Sequence, residues 1–388
     1  MIIMITYNLR INKKTCIRLT IGRLLLLFFG CCGLAILIYR LINGLGAATN
    51  LFDKWPWGFW IYCDLVLSAI GSCGFAVGIL THVFGIKKYM PLARRALFVS
   101  LLCYLLLFLI LFAEIGRWDN FYWVFISFAW TSPLYEVFIC LTLYVLVQFA
   151  EAGEVWLDHY LPKLHQWVVY LMPLIFLAAA ILPFGQEAAL GALYLAMSGK
   201  LNAIWCSQAL PWNFLISAFY GGLCFIALEY RVTNRYLREK SDGAMIGSLL
   251  KIAAVVILLN LVIKIIDISV RGVWGEVFSG TVEGNLFIIE IIFGSLIPII
   301  LSFLPMLREP PVQKVVAFLG ILGVVINRFN IIFTGMARHA EISYFPSFAE
   351  IGLVIGLTSL MIFVYIICVE NLPVFWGYSD EKPRTIVR

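Results

Sequence analysis

The stretch SLLKIAAVVILLNLVIKIIDISV (residues 248–270) decides the fold. A helix needs about 20 predominantly apolar residues to cross a bilayer, and this run supplies them. Comparable runs occur at roughly 22–43, 57–85, 95–113, 131–150, 165–184, 211–231, 284–306, 312–334 and 349–371. The chain has 388 residues, 62% hydrophobic and 13% charged, whereas soluble domains carry about 25% charged residues. The expectation is an all-α polytopic membrane bundle of about ten helices. Residues 1–21 and 372–388 are read as short cytoplasmic segments, and 22–371 as one transmembrane domain. The first apolar run is long for a signal sequence and lacks a convincing cleavage site, so it reads as a retained helix.

Charge sets the orientation. With the N-terminus inside, the inner segments hold twenty lysines and arginines, including Arg23, Lys87, Arg95, Lys163, Arg231, Arg238, Lys240, Arg308 and Lys382. The outer segments hold five: Lys54, Arg117, Lys200, Arg271 and Arg338. This bias follows the positive-inside rule and puts both ends in the cytoplasm of a bacterial inner membrane. It also accounts for the net charge of +6 without a nucleic-acid partner. The outer loops are rich in aromatics instead: Trp55, Trp57 and Trp60, then Trp118, Phe121, Tyr122, Trp123 and Trp130, then Trp205 and Trp212. An interfacial belt explains most of these, and a docking surface for a partner explains the excess.

Ionisable groups at membrane depth are costly and usually face the bundle interior. Asp64, Glu114, Glu136, Lys264, Asp267, Glu290 and Arg328 all fall in or at the outer halves of helices, with Arg117 and Arg271 just beyond. The inner half reads as dry, with His82 and Glu229 near helix ends. Trp57, Trp60 and Asp64 are spaced i, i+3, i+7, one helical face, and Lys264, Asp267 and Arg271 repeat that spacing. Two readings follow: ion pairs that hold helices together, such as Lys264 with Asp267, or a polar chamber open to the outer face and lined by Lys264, Asp267, Glu290 and Arg328. The set as a whole favours the chamber.

A bis-histidine haem needs two ligands at membrane depth. The four histidines are His82, His159, His165 and His339, and no two are placed to face each other across a haem. No haem is therefore expected. The ten cysteines form no CxxC pair and mostly sit in apolar runs, so no iron–sulfur cluster and no metal site is expected in this chain. An apolar slot with Tyr, Trp, carboxylates and an arginine suits a quinone head, which needs a donor at each carbonyl and a group that exchanges protons. A transporter site could use the same residues, although Pro133, Pro183 and Pro298 show no matched pair of broken helices. A purely structural anchor for an outer enzyme is the third reading.

Five runs occur in order: GLGAATNLFDKWPWGFWIYCDL (44–65), EIGRWDNFYW (114–123), SPLYEVFICLTLY (132–144), LPWNFLISAFYGGLCFIALE (210–229) and YFPSFAEIG (344–352). Together they resemble the NrfD/PsrC-like family of membrane quinone oxidoreductase subunits, in particular the branch that holds the membrane subunit of periplasmic [NiFe]-hydrogenase 2. The resemblance covers almost the full length, and PWGFWIYCDL (56–65) is its most specific part. It implies a periplasmic ferredoxin-like [4Fe–4S] partner, a catalytic or multihaem subunit beyond it, and exchange of electrons with menaquinone or ubiquinone. It implies proton transfer at Glu136 and matches Asp64 and Arg117 to the family's aspartate and arginine, with Glu114 where the family has Asp. The residues read as the quinone site are Asp64, Glu114 and Arg117, walled by Trp57 and Trp60. Where the hydrogenase branch has His-Gln-Ser-Ser after the fifth helix, this chain reads Gly185-Gln186-Glu187-Ala188. That departure leaves the terminal enzyme open between a hydrogenase, a multihaem complex and a reductase of sulfur or nitrogen compounds.

Overall fold

The computed structural model describes residues 7–12, 15–160, 162–239, 241–340 and 344–371, without the side chains of 7–18, 154–165, 169, 173 and 338–340. The tail expected at 372–388 lies outside the described residues, as do Lys240 and the side chains of His159, Lys163, His165, Arg338 and His339. A short antiparallel hairpin precedes the bundle: β1 (Tyr7–Asn12) pairs with β2 (Thr15–Leu19), and Leu9 faces Ile17. The reading of 1–21 as a plain basic segment overlooked the alternation of Leu9 and Ile11 with Asn8, Arg10 and Asn12.

Among the described residues, ten helices are long and apolar enough to cross a membrane. They are α1 (Ile21–Asn43), α2 (Phe59–Val83), α3 (Met90–Glu114), α4 (Pro133–Tyr160), α5 (Pro162–Ala196), α6 (Leu210–Leu237), α7 (Gly243–Arg271), α8 (Val282–Phe303), α9 (Pro310–Ala337) and α10 (Phe348–Asn371). Local chemistry fixes their ends. The Asp242 carboxylate accepts from the Ala244 and Met245 amides at 2.9 Å and starts α7, which stops at Gly272 in the left-handed region (φ +68°). At α10, Ser347 Oγ accepts from the Glu350 amide at 3.1 Å while Glu350 Oε2 accepts from the Ser347 amide at 2.7 Å, a capping box.

The most buried helix is α6, which packs against α2, α5, α7 and α9. Close approach depends on glycine: a Cβ at Gly222 of α6 would strike the backbone of α2 at Ser72 and Cys73. The pair α1 and α10 forms an outer layer. Gly33 and Gly356 meet backbone to backbone there, and Arg23 pairs with Glu370 at 2.5 Å near the inner end. Single π turns interrupt α8 at Ile292–Leu296 and α9 at Asn330–Thr334, just after Glu290 and Arg328. Such turns are frequent at functional sites.

Two expectations need correction. Helix α5 runs on past Pro183 to Ala196, so residues 185–196 form a membrane helix rather than a loop. The inner half is also not dry. Besides Arg23–Glu370, Arg95 lies 3.7 Å from Glu229 and donates to Asn234 at 2.9 Å, and the Arg231 guanidinium bonds Gln313, all buried. Several arginines assigned to inner loops therefore sit in inner helix ends.

Candidate functional site

The ends of α1, α2, α3 and α5 on the side that the charge bias reads as outer enclose a group of polar atoms without partners. Asp64 is five residues into α2 (64 minus 59), about 8 Å from its outer end. Both its carboxyl oxygens are buried and make no hydrogen bond. Glu114, the last residue of α3, lies within electrostatic reach of Asp64, Arg40 and Glu350; both its oxygens are buried and bond no side chain, with the Ile61 backbone close by. Arg40 of α1 is fully buried; its Nη2 donates to the Ile115 carbonyl, while Nε and Nη1 have no partner. The Tyr194 hydroxyl of α5, also buried and unbonded, feels Glu114, Arg328 and Asp64. Trp57 packs edge-on against Tyr194, with ring centroids 5.3 Å apart. Buried polar groups are normally satisfied, so a bound species with donors and acceptors of its own would complete this group.

A second polar layer lies deeper, between α2, α5, α6 and α9. Glu187 accepts from Ser68 and sits 3.7 Å from Arg328, both fully buried. Arg328 also donates to Ser217 (3.0 Å), to the Phe214 carbonyl (3.3 Å) and to Asn327 (2.8 Å), and lies 3.6 Å over the Phe214 ring. Next to it, Lys264 pairs with Glu290 at 2.5 Å, and Asn327 and Asn330 donate to the same carboxylate at 2.9 and 2.8 Å. The cavity that Lys264, Asp267 and Glu290 line is about 20 Å³, room for about one water. The chamber expected from Lys264, Asp267, Glu290 and Arg328 is therefore a packed ion-pair network. The expected Lys264–Asp267 pair does not form. Asp267 instead bonds Ser207 and, one turn on, Arg271 at 2.5 Å.

From Glu187 a line of buried side chains continues inward. Ser72, one turn below Ser68, bonds the Ser68 carbonyl at 3.0 Å. Tyr104 and Tyr144 pack edge to face at 4.7 Å, and Gln148 donates to Ser100 at 2.6 Å, with the Tyr144 hydroxyl 3.5 Å from that same Ser100. Glu151 follows Gln148 by one turn of α4. The Tyr104 hydroxyl makes no hydrogen bond, so these groups form separate contacts rather than one hydrogen-bonded chain.

Not every residue singled out from sequence joins these layers. Trp60 is buried but turns toward α10, where its Nε1 donates to the Glu350 carbonyl at 3.0 Å. Only Trp60 and Asp64 share a helical face, because α2 begins at Phe59, after Trp57. Arg117 points to solvent and pairs with Asp119 at 2.9 Å; that bond holds the Asp119 carboxyl below the usual carboxylate range. Glu136 is exposed. Trp205, expected at an accessible outer loop, is buried under α8 beside Phe287.

Sequence reasoning missed Arg40, Glu187 and Glu350. Glu350 carried a signal, the Ser347-x-x-Glu350 capping pattern. Its carboxylate also accepts from Tyr344, whose phenol burial pushes up, so it stays a donor. Among the described residues no cluster of His, Cys, Asp and Glu is arranged to hold a metal. The one described histidine side chain, His82, is exposed and stacked on Phe176 at 5.1 Å.

The family model described as polysulphide reductase, NrfD, matches residues 47–340. A protein of Nitratidesulfovibrio vulgaris is 30% identical over 90% of this chain and 93% of its own length. The probable Ni/Fe-hydrogenase 2 b-type cytochrome subunit of Escherichia coli K12 is 26% identical, covering 87% and 88%. The integral membrane subunit of menaquinone reductase from Nitratidesulfovibrio vulgaris is 26% identical, covering 95% and 97%. The matched region begins before α2 and takes in α9, so it holds every helix of both polar layers except α1: the chain belongs to the NrfD, polysulphide reductase family of membrane proteins.

Proposed function

We propose that this chain is the membrane subunit of a respiratory complex and exchanges electrons between an iron–sulfur partner on the outer face and a membrane quinone, menaquinone or ubiquinone. The observation that carries this reading is the group of unbonded atoms at Asp64, Glu114 and Tyr194. Reduction of a quinone takes two electrons and two protons. The Tyr194 hydroxyl supplies a donor for a carbonyl oxygen, and Asp64 and Glu114 exchange protons with the substrate oxygens. Trp57 walls the slot. The site lies about 8 Å below the outer helix end, where a redox partner docked on that face is near enough for direct transfer. The chain then needs no redox group of its own, in keeping with its histidine and cysteine placement.

Co-purification tests the reading. Isolated gently from its native membrane, the chain should carry an iron–sulfur subunit and extractable quinone. Stripped of partners, it should show no Soret band. A stoichiometric b-type spectrum on the bare chain would overturn the haem-free assignment, and absence of both partner and quinone would remove the redox reading.

The same reading places both ends in the cytoplasm. Position 119 lies in an exposed outer loop and position 238 in an exposed inner turn. Cysteines introduced at Asp119 and Arg238 should react and fail to react, respectively, with an impermeant maleimide added from the periplasm. The opposite pattern inverts the orientation.

A further inference from the structure

Glu136 stands apart from the other charges at its depth. It makes none of the ion pairs formed among the described residues. Its exposed side chain reaches across to α5, where its Oε1 lies 3.9 Å from the place a Cβ on Gly185 would occupy; Cys140 Sγ is 3.7 Å from that point. Gly185 is two residues inward of Glu187, and Glu187 bonds Ser68, nine residues into α2 (68 minus 59). The carboxylate is therefore on the order of 14 Å below the outer end of α2. Around it Trp130, Leu134, Ile181 and Phe184 are all exposed and apolar, as suits a surface against lipid. A carboxylate facing hydrocarbon is costly and calls for a function.

Polar side chains continue inward from this contact. Gln186, next to Gly185, is buried; its Oε1 is unbonded and its Nε2 lies 3.4 Å from Ser68 Oγ. Ser68 is one turn from Asp64 on the same face of α2. A path of side chains thus joins Glu136, at the lipid surface, to the unbonded carboxylates. Glu136 belongs to the first turn of α4, and its exposed side is open to a species dissolved in the bilayer. One with a polar head and an apolar tail satisfies Glu136 while its tail stays in lipid.

We propose that the seam between α4 and α5 at Glu136, Cys140 and Gly185 is the lateral port through which an isoprenoid quinone passes between the bilayer and the buried carboxylates. The inference rests on the quinone reading above. With no side chain at Gly185 the seam can part beside Cys140, and Glu136 receives the head group as it leaves the lipid.

Photolabelling of native membranes containing the whole complex tests the port. The probe is a quinone analogue with an azide on its tail. Label should appear in peptides covering 133–140 and 181–189, and excess unlabelled analogue should displace it. Gly185→Leu should cut that label by about tenfold or more, as extra carbons do in a filled apolar pocket. Gly185→Ala, whose Cβ meets nothing nearer than 3.7 Å, should keep most of it. Should Gly185→Leu fail to assemble, the map on the unaltered chain decides by itself. Displaceable label confined to other helices overturns the port and leaves the quinone reading standing. Label that no quinone displaces anywhere on the chain overturns that reading and the port with it.

Discussion

Asp64→Asn is expected to lower quinone-linked turnover by about 10²- to 10⁴-fold, the range for a lost general acid or base, while the complex still assembles. Both Asp64 oxygens are buried and bind no group of the protein. An amide of the same shape therefore strands no partner, and the structural cost is small. What is lost is the ability to exchange a proton with a bound quinone. Two quantities have to be measured together, the amount of complex carrying the iron–sulfur subunit and its rate per complex. An unchanged rate in normally assembled complex would rule out Asp64 and pass the role to Glu114, whose oxygens likewise bond no side chain. A complex that fails to assemble would show that Asp64 has a structural partner after all.

Arg328→Met should have the opposite signature, a large loss of assembled protein. Arg328 and Glu187 are both fully buried, and the guanidinium gathers Glu187, Ser217, Asn327 and the Phe214 carbonyl around itself. Removing one member of such a pair leaves an uncompensated charge, at a cost of about 3–5 kcal/mol. The double variant Arg328→Met with Glu187→Gln removes the stranded charge and should recover much of the assembly. The comparison isolates the coupling between the two residues. Heat stability and membrane abundance are the readouts. If Arg328→Met alone matches the parent in both, Glu187 is held by other groups and the pair is not structural.

The helices were legible because twenty apolar residues in a row leave few alternatives, and all ten expected runs overlap observed spans. The buried positions of Asp64, Lys264, Glu290 and Arg328 were legible for the same reason: a charge within such a run must face inward. Partner choice was not. Lys264 and Asp267 are three apart, yet Lys264 reaches across to α8 and Asp267 back to its own Arg271, a choice set by packing that no local spacing encodes. Glu187 was lost because Pro183 and Gly185 read as a helix end. The run AALGALYLAM (188–197) behind them extends the apolar pattern and is the signal that could have found it. Arg40 is a single arginine near the end of an apolar run, with nothing beside it in sequence to mark a site. Only the arrival of α3 beside it, with Glu114 and the Ile115 carbonyl, makes it part of a site.

The pairing of α1 with α10 has a consequence in time. Gly33 and Gly356 are 323 residues apart (356 minus 33), yet each is the other's contact. At about 5–20 residues per second during synthesis, roughly 15–65 seconds separate the emergence of the two. Through that interval α1 waits in the bilayer with its glycine face turned to lipid and Glu370 not yet made. Anionic headgroups at a cytoplasmic surface attract basic side chains, and in the proposed orientation Arg23 of α1 would rest among them until Glu370 arrives. The α1–α10 contact thus forms only after α10 is made, and a ribosome that stops short of α10 leaves α1 without it.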